Sequence, residues 1–151
     1  ASHWLPQDRK RMIIVGTKRP YDIYAPENIS SKPRIKDIIE RDPEVHIPDY
    51  VKARMNGNYR DKPIVVDPND NNAIAPCCVA HYSKDMGTRM VKDKRFKGGL
   101  RPFTVREYAR LQGVPDDYSL PDKPSSYKII GNGVAVPMAR WCGFHTMRYF
   151  N

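Results

Sequence analysis

Arg101-Pro102-Phe103-Thr104-Val105-Arg106-Glu107-Tyr108-Ala109-Arg110-Leu111-Gln112-Gly113 is the stretch from which the fold can be read. Thr104 and Glu107 have the spacing of a capping box, in which the threonine oxygen accepts the third helical N–H and the glutamate reaches back to the threonine N–H. A helix is therefore predicted to begin at Thr104. It carries Val105, Tyr108, Ala109 and Leu111 on or near one face, and Gly113 followed by Pro115 supplies its stop.

Toward the C-terminus, Pro115-Asp116-Asp117-Tyr118 reads as a turn, followed by a polar linker and then Gly131-Asn132-Gly133. A second helical pattern follows in Val134, Met138, Trp141, Cys142 and His145. Pro137 fits it only in the first turn, where N–H groups lack intrahelical partners, so the Gly-Asn-Gly turn should abut the helix N-terminus. Toward the N-terminus, Met12-Ile13-Ile14-Val15-Gly16 is an unalternating, β-branched run, the pattern of a strand buried on both faces of a mostly parallel sheet. One strand cannot make a sheet, so its neighbours are expected on absent polypeptide or another chain. Between Thr17 and Gly99 the sequence is irregular, with many prolines, Asn56-Gly57 and the polar run Asp67 to Asn72. A short helix near Ile35 to Arg41, preceded by Ser31 or Ser30, and a strand at Ile64-Val65-Val66 are the elements expected early in this stretch.

The chain has 151 residues, 40% of them hydrophobic, enough for one domain with a core or for pieces of two. A complete cofactor-dependent enzyme with a large recognition module would need more. No apolar run approaches the ~20 residues of a bilayer span, and the basic start is unlike a secretion signal, so a soluble, unsecreted chain is expected. Cys77, Cys78 and Cys142 are an odd set, two of them adjacent, which implies no disulfide framework and suits a reducing cytosol. No paired His and Cys spacing suggests a metal site, so none is expected. The net charge is +9 and it is clustered. Residues 9 to 19 hold Arg9, Lys10, Arg11, Lys18 and Arg19 without an acid, and residues 84 to 101 hold seven basic residues against Asp85 and Asp93. Clustered positive charge marks a phosphate-binding surface, because each neutralised phosphate releases condensed counterions.

Three segments together resemble the late motifs of the DNA cytosine-5 methyltransferase family, in the family's order. Gln7-Asp8-Arg9-Lys10-Arg11 with Met12 to Gly16 resembles the eighth motif, Gln-x-Arg-x-Arg plus an apolar strand. Arg101 to Gly113, continuing through Pro115-Asp116, resembles the ninth, and Ile130-Gly131-Asn132-Gly133-Val134 the tenth. The resemblance implies an α/β fold: the C-terminal piece of a Rossmann-like, S-adenosylmethionine-dependent methyltransferase domain plus a small irregular target-recognition domain. Residues 1–16 would be the last strand region of the catalytic domain, 17–100 the recognition domain, and 101–151 the ninth-motif helix, hinge and return helix.

Enzymes of this family flip the target cytosine out of the duplex, since its reactive edge is inaccessible while stacked. The resemblance implies that Arg11 contacts the flipped cytosine with Arg9 as nearby support, and that Asn132, Gly133 and Val134 line the methionine end of S-adenosylmethionine. It implies scaffolding with phosphate contact, and no catalysis, for Thr104, Arg106, Glu107 and Arg110, of which Arg106 is a DNA-binding candidate. Base readout is expected between Ile74 and Gly99, with His81, Ser83, Lys84, Thr88, Arg89, Lys94 and Arg95 as DNA-binding candidates, because arginine and lysine grip guanine edges while phosphates fix register. Pro76-Cys77 is not the family's nucleophile, which lies before the Gln-x-Arg-x-Arg segment and is followed by Gln or Pro. The early motifs, with their cofactor loop, nucleophile and base-supporting glutamate, do not occur in the chain. The implied partners are double-stranded DNA and an N-terminal methyltransferase subunit or fragment carrying the first six motifs, in the cytoplasm of a bacterial or phage-infected cell. A non-catalytic DNA-binding module derived from such an enzyme, or a basic domain that binds RNA, are the other readings.

Overall fold

The structure is a computed structural model describing residues 1–26, 29, 31–56 and 63–150; Ser30 and Gly57 lie outside the described residues. Its elements are β1 (Gln7–Asp8), α1 (Ile35–Ile38), α2 (Asp49–Asn56), β2 (Ile64–Val66), β3 (Ala75–Pro76), β4 (Arg89–Lys92), β5 (Leu100–Pro102), α3 (Val105–Leu111), α4 (Pro124–Asn132) and α5 (Val136–Phe150). β4 is the middle strand of a three-stranded mixed sheet, parallel to β2 and antiparallel to β5, with Val91 opposite Val66 on one side and Arg101 on the other. Met90 and Val91 are both fully buried, so this strand is covered on both faces. β1 and β3 form a separate parallel pair that ties Gln7 to Ala75 and Asp8 to Pro76.

α3 begins as the capping box requires. The Glu107 N–H donates to Thr104 Oγ1 at 3.0 Å, and the Thr104 N–H donates to Glu107 Oε2 at 3.0 Å. Its end is a Schellman motif: Gly113 adopts φ +74°, its N–H reaches Arg110 O, and the Val114 N–H reaches Ala109 O. The apolar face of α3 meets a core drawn from both sides of position 100, including Ile35, Val66, Tyr82, Val91, Phe103, Tyr127 and Ile130. Tyr82 and Tyr108 stack at 4.7 Å between ring centroids, and Tyr127 stands edge-on to both. Each buried hydroxyl finds a backbone partner: Tyr82 donates to Arg89 O, Tyr127 to Phe103 O and Tyr108 to Val79 O. Burial raises all three phenol pKa values, which keeps them protonated donors.

A buried ion network fixes the start of α3. Arg101 donates twice to the Glu107 carboxylate, at 2.7 and 2.8 Å, and once to Asp93 at 2.7 Å. Arg101 and Glu107 are fully buried. Removing both charges from water is costly, and the pair is stable here because Glu107 also accepts the Thr104 and Glu40 N–H groups. Arg95 forms two further bonds to the Asp93 carboxylate, and its guanidinium also donates to Arg41 O. Hydrogen bonding from Arg95, helped by Arg101, holds Asp93 far below the usual carboxylate pKa.

Four expectations need correction. Met12 to Gly16 is not a buried strand: it has no regular structure, and Met12 and Ile14 are 85% and 88% exposed. A strand with no adjacent strand has no ladder to join, and the chain instead pairs earlier, at Gln7–Asp8. The helix expected near Ile35 to Arg41 stops at Ile38 and is capped by Arg34, not by Ser31, with the Arg34 N–H bonded to Asp37 Oδ2. The polar linker is largely helix: α4 starts with Lys123 as N-cap and Pro124 in its first turn, where a missing N–H costs nothing. Gly131-Asn132 therefore ends α4 and is not a free-standing turn. Pro137 does occupy the first turn of α5, as expected.

Candidate functional site

Arg9 brings the first motif segment against the third and against the chain that follows β3. β1 delivers its side chain into the interior, where it is 3% exposed. There Nη1 donates to Cys78 O at 2.7 Å, while Nη2 donates to Gly131 O at 3.0 Å and Gly133 O at 2.6 Å. One guanidinium thus binds the chain just after β3, the last turn of α4 and the corner before α5. Its planar fork suits this task, since five donors in fixed geometry can serve several carbonyls at once. Arg9 Nε is buried and has no hydrogen-bond partner.

Gly131 lets α4 approach closely. A Cβ there would lie 2.4 Å from both Val79 C and Ala80 N, so only glycine permits this contact. The corner is thereby pressed against the residues that follow Cys78. From it Asn132 and Val134 project outward, both exposed. An amide that can donate and accept, beside an aliphatic surface and a glycine with open backbone, is a donor set that fits the amino-acid end of S-adenosylmethionine.

Arg11 behaves differently from Arg9. It is exposed, its Nη1 donates to Lys10 O at 2.6 Å, and its Nη2 lies 3.9 Å from Cys77 Sγ. Cys77 Sγ is also 3.3 Å from Arg9 Nη1, so the half-buried thiol sits between the two guanidinium groups. Cys78 is buried, and desolvation pushes its thiol pKa far up.

The DNA-binding candidates fall into separate groups. His81, Ser83, Lys84, Thr88 and Arg89 cluster before and at the start of β4, while Lys94 and Arg95 follow its end, roughly 13 Å away at the usual rise per strand residue. His81 and Lys84 are exposed. Ser83 O accepts from Tyr50, and Thr88 Oγ1 donates to Asp85 O and accepts from Arg89. Lys94 is exposed, whereas Arg95 is committed to Asp93. Arg106 braces the turn after α3 through Pro115 O and Tyr118 O, and Arg110 forms two bonds to Asp116.

Sequence reasoning gave no role to Gln7, Gln112 or Asp93, all of them buried. A signal for the glutamines was present: both belong to matched motifs, Gln7 between Pro6 and Asp8 and Gln112 between Leu111 and Gly113, and an uncharged amide has to find partners if it is buried. Among the described residues no group of three or more His, Cys, Asp or Glu could hold a metal ion. No helix among them is long and apolar enough to cross a membrane.

The chain is a mixed α/β fold in which the buried Arg9 ties the segment of β1 to the corner between α4 and α5. The fold is similar to that of S. pombe Dnmt2 methyltransferase, with a TM-score of 0.60 over 81% of this chain and 44% of that one at 17% identity. It is also similar to a Spodoptera frugiperda DNMT2 mutant, with a TM-score of 0.64 over 99% of this chain and 55% of that one, also at 17% identity. The family model for C-5 cytosine-specific DNA methylase matches residues 4–144, and the chain belongs to that family. Type II methyltransferase M.SsoII of Shigella sonnei is 31% identical over 89% of this chain and 38% of its own length. Type II methyltransferase M.HpaII of Haemophilus parainfluenzae is 30% identical over 92% of this chain and 46% of its own length. The chain thus spans less than half of either curated relative.

Proposed function

We propose that this chain is the DNA-recognising, pocket-completing part of a DNA cytosine-5 methyltransferase, active only when joined to a polypeptide carrying the early motifs. The joined enzyme would move a methyl group from S-adenosylmethionine to carbon 5 of a flipped cytosine in duplex DNA. The observation that carries this reading is the Arg9 guanidinium, which links the segment bearing Arg11 to the corner bearing Asn132 and Val134. The base-facing and cofactor-facing edges are thereby parts of one unit.

In this reading residues 1–16 carry the base-facing arginines, 17–100 select the DNA site, and 101–151 form the scaffold helix, hinge and return helix. Arg11, exposed and next to Cys77, offers its guanidinium to the carbonyl of the extruded base, and Arg9 supports it from beneath. Asn132, Gly133 and Val134 hold the methionine end of the cofactor. When bound, S-adenosylmethionine supplies the electrophilic methyl group. His81, Lys84, Arg89 and Lys94 contact DNA from the basic surface around β4, with Ser83, Thr88 and Arg95 shaping it, and Arg106 meets a phosphate from α3.

The test mixes the chain with an N-terminal methyltransferase half that carries the cofactor loop, the nucleophile and the base-supporting glutamate, then supplies tritiated S-adenosylmethionine and cytosine-containing duplex. Label is expected in DNA only when both polypeptides are present. Tight, salt-sensitive duplex binding without transfer under any pairing would support a non-catalytic DNA-binding module instead. Tighter binding to RNA than to duplex at matched salt would move the chain to another class.

A further inference from the structure

Arg9 does not hold the corner alone. Gln7 is fully buried, and its Oε1 accepts the Cys78 N–H at 3.1 Å. Its Nε2 donates to Leu111 O at 2.6 Å and lies 3.4 Å from Gln112 Oε1. Gln112, 2% exposed, donates from Nε2 to Ile130 O at 2.9 Å, and its own carbonyl accepts the Val136 N–H at 2.8 Å. The Gln112 side-chain amide therefore grips the chain just before Asn132, its main-chain carbonyl holds the start of α5, and Gln7 grips the chain immediately beside Cys77, the thiol between the two guanidinium groups.

Buried amides are costly unless paired, and neither glutamine is needed to fill the core with apolar surface. Leucine or methionine would fill similar space without the demand for partners. What the two amides supply is a fixed distance between two edges. We propose that Gln7 and Gln112 are positioning residues: a buried amide relay that sets the cofactor-facing corner, Asn132–Val134, relative to the base-facing segment of Arg9 and Arg11. This rests on the proposed function for the chemistry at each edge, but the relay itself is a property of the chain.

Methionine conserves volume, so Gln7→Met and Gln112→Met remove the amides with little packing change. In the joined enzyme, Gln112→Met is expected to raise KM for S-adenosylmethionine by about ten- to a hundredfold, the range that small misplacements produce, with a much smaller change in kcat per folded molecule. The double variant is expected to show no further rise, since either substitution breaks the same relay. A purely structural role would lower apparent kcat in step with thermal stability and leave KM unchanged; that result, or additive KM effects, overturns the proposal. If the unsubstituted pair transfers no methyl group, the proposed function fails while the relay is still tested. Backbone amide NMR of the chain alone with Gln7→Met should then shift the Gly133 and Val136 signals, and unmoved signals refute the relay.

Discussion

Arg11 and Arg9 are two residues apart, yet one is exposed and the other is buried with carbonyl partners at Cys78, Gly131 and Gly133. Their substitutions should therefore fail differently. Arg11→Ala is expected to reduce methyl transfer by the joined enzyme much more than duplex affinity, measured by tritium transfer against a filter-binding titration; equal losses would reassign Arg11 to phosphate binding. At the buried network, Arg101→Met leaves Glu107 charged and short of partners, and breaking such a pair costs about 3–5 kcal/mol, readable from the urea midpoint. Asp93 gives that network a pH dependence. Its folded pKa is depressed, so its contribution is complete above the unfolded value of about 3.9 and is lost as pH falls toward the folded value. Tm should fall progressively as pH drops from about 5 through the unfolded value and on toward the depressed folded value, and Asp93→Asn should flatten that part of the profile. Unchanged acid sensitivity in Asp93→Asn would assign it to other carboxylates.

α3 was the most legible element, because its start and stop are both local: Thr104 and Glu107 cap one end, and Gly113 turns at the other. Thr104→Ala should cost about 1 kcal/mol for the cap, and more to the extent that Glu40, which accepts from the Thr104 hydroxyl, is left without that donor. Urea unfolding checks it; a loss below a few tenths of a kcal/mol would show that the Arg101 network alone fixes the helix start. α4 was missed since only Ser126, Tyr127, Ile130 and Gly131 are buried along it, too few apolar residues to declare a helical period, and the Pro124 start signal went unused. The strand expected at Met12 to Gly16 follows from a local run of β-branched residues and from the motif, whereas a strand forms only if its sheet neighbours are at hand. Arg9 was legible as a site residue from its motif, but its carbonyl partners 69 to 124 residues away were not, since no local rule reports them. Gly131→Ala addresses the α4 contact directly. Its added methyl would overlap the Val79–Ala80 backbone, an overpacking that costs typically about 1–3 kcal/mol, and it should also displace Asn132 and weaken cofactor binding.

At the scale of the molecule, the core is continuous from Ile35 to Ile130, yet Met12, Ile14, Phe144, Met147 and Phe150 all lie more than half exposed. These five lie in the segment after β1 and on α5, the two parts that the family reading assigns to the large catalytic domain, while Ile64, Ile129 and Val134 are more than half exposed elsewhere. Surfaces of this kind mark interaction sites or promote association. Sedimentation of the chain alone should accordingly show self-association that disappears on mixing with an N-terminal methyltransferase half. In the proposed function the Arg11 edge and the Asn132 edge are two walls of one active site completed by other polypeptide. A crystal structure of the joined enzyme with target duplex and S-adenosylhomocysteine tests it most directly. The Arg11 guanidinium is expected within about 3 Å of the extruded base, and Asn132 or the Gly133 backbone at similar distance from the cofactor's amino-acid end. A cofactor held wholly by the other polypeptide, with Arg11 turned to solvent or to a phosphate remote from the extruded base, would contradict it.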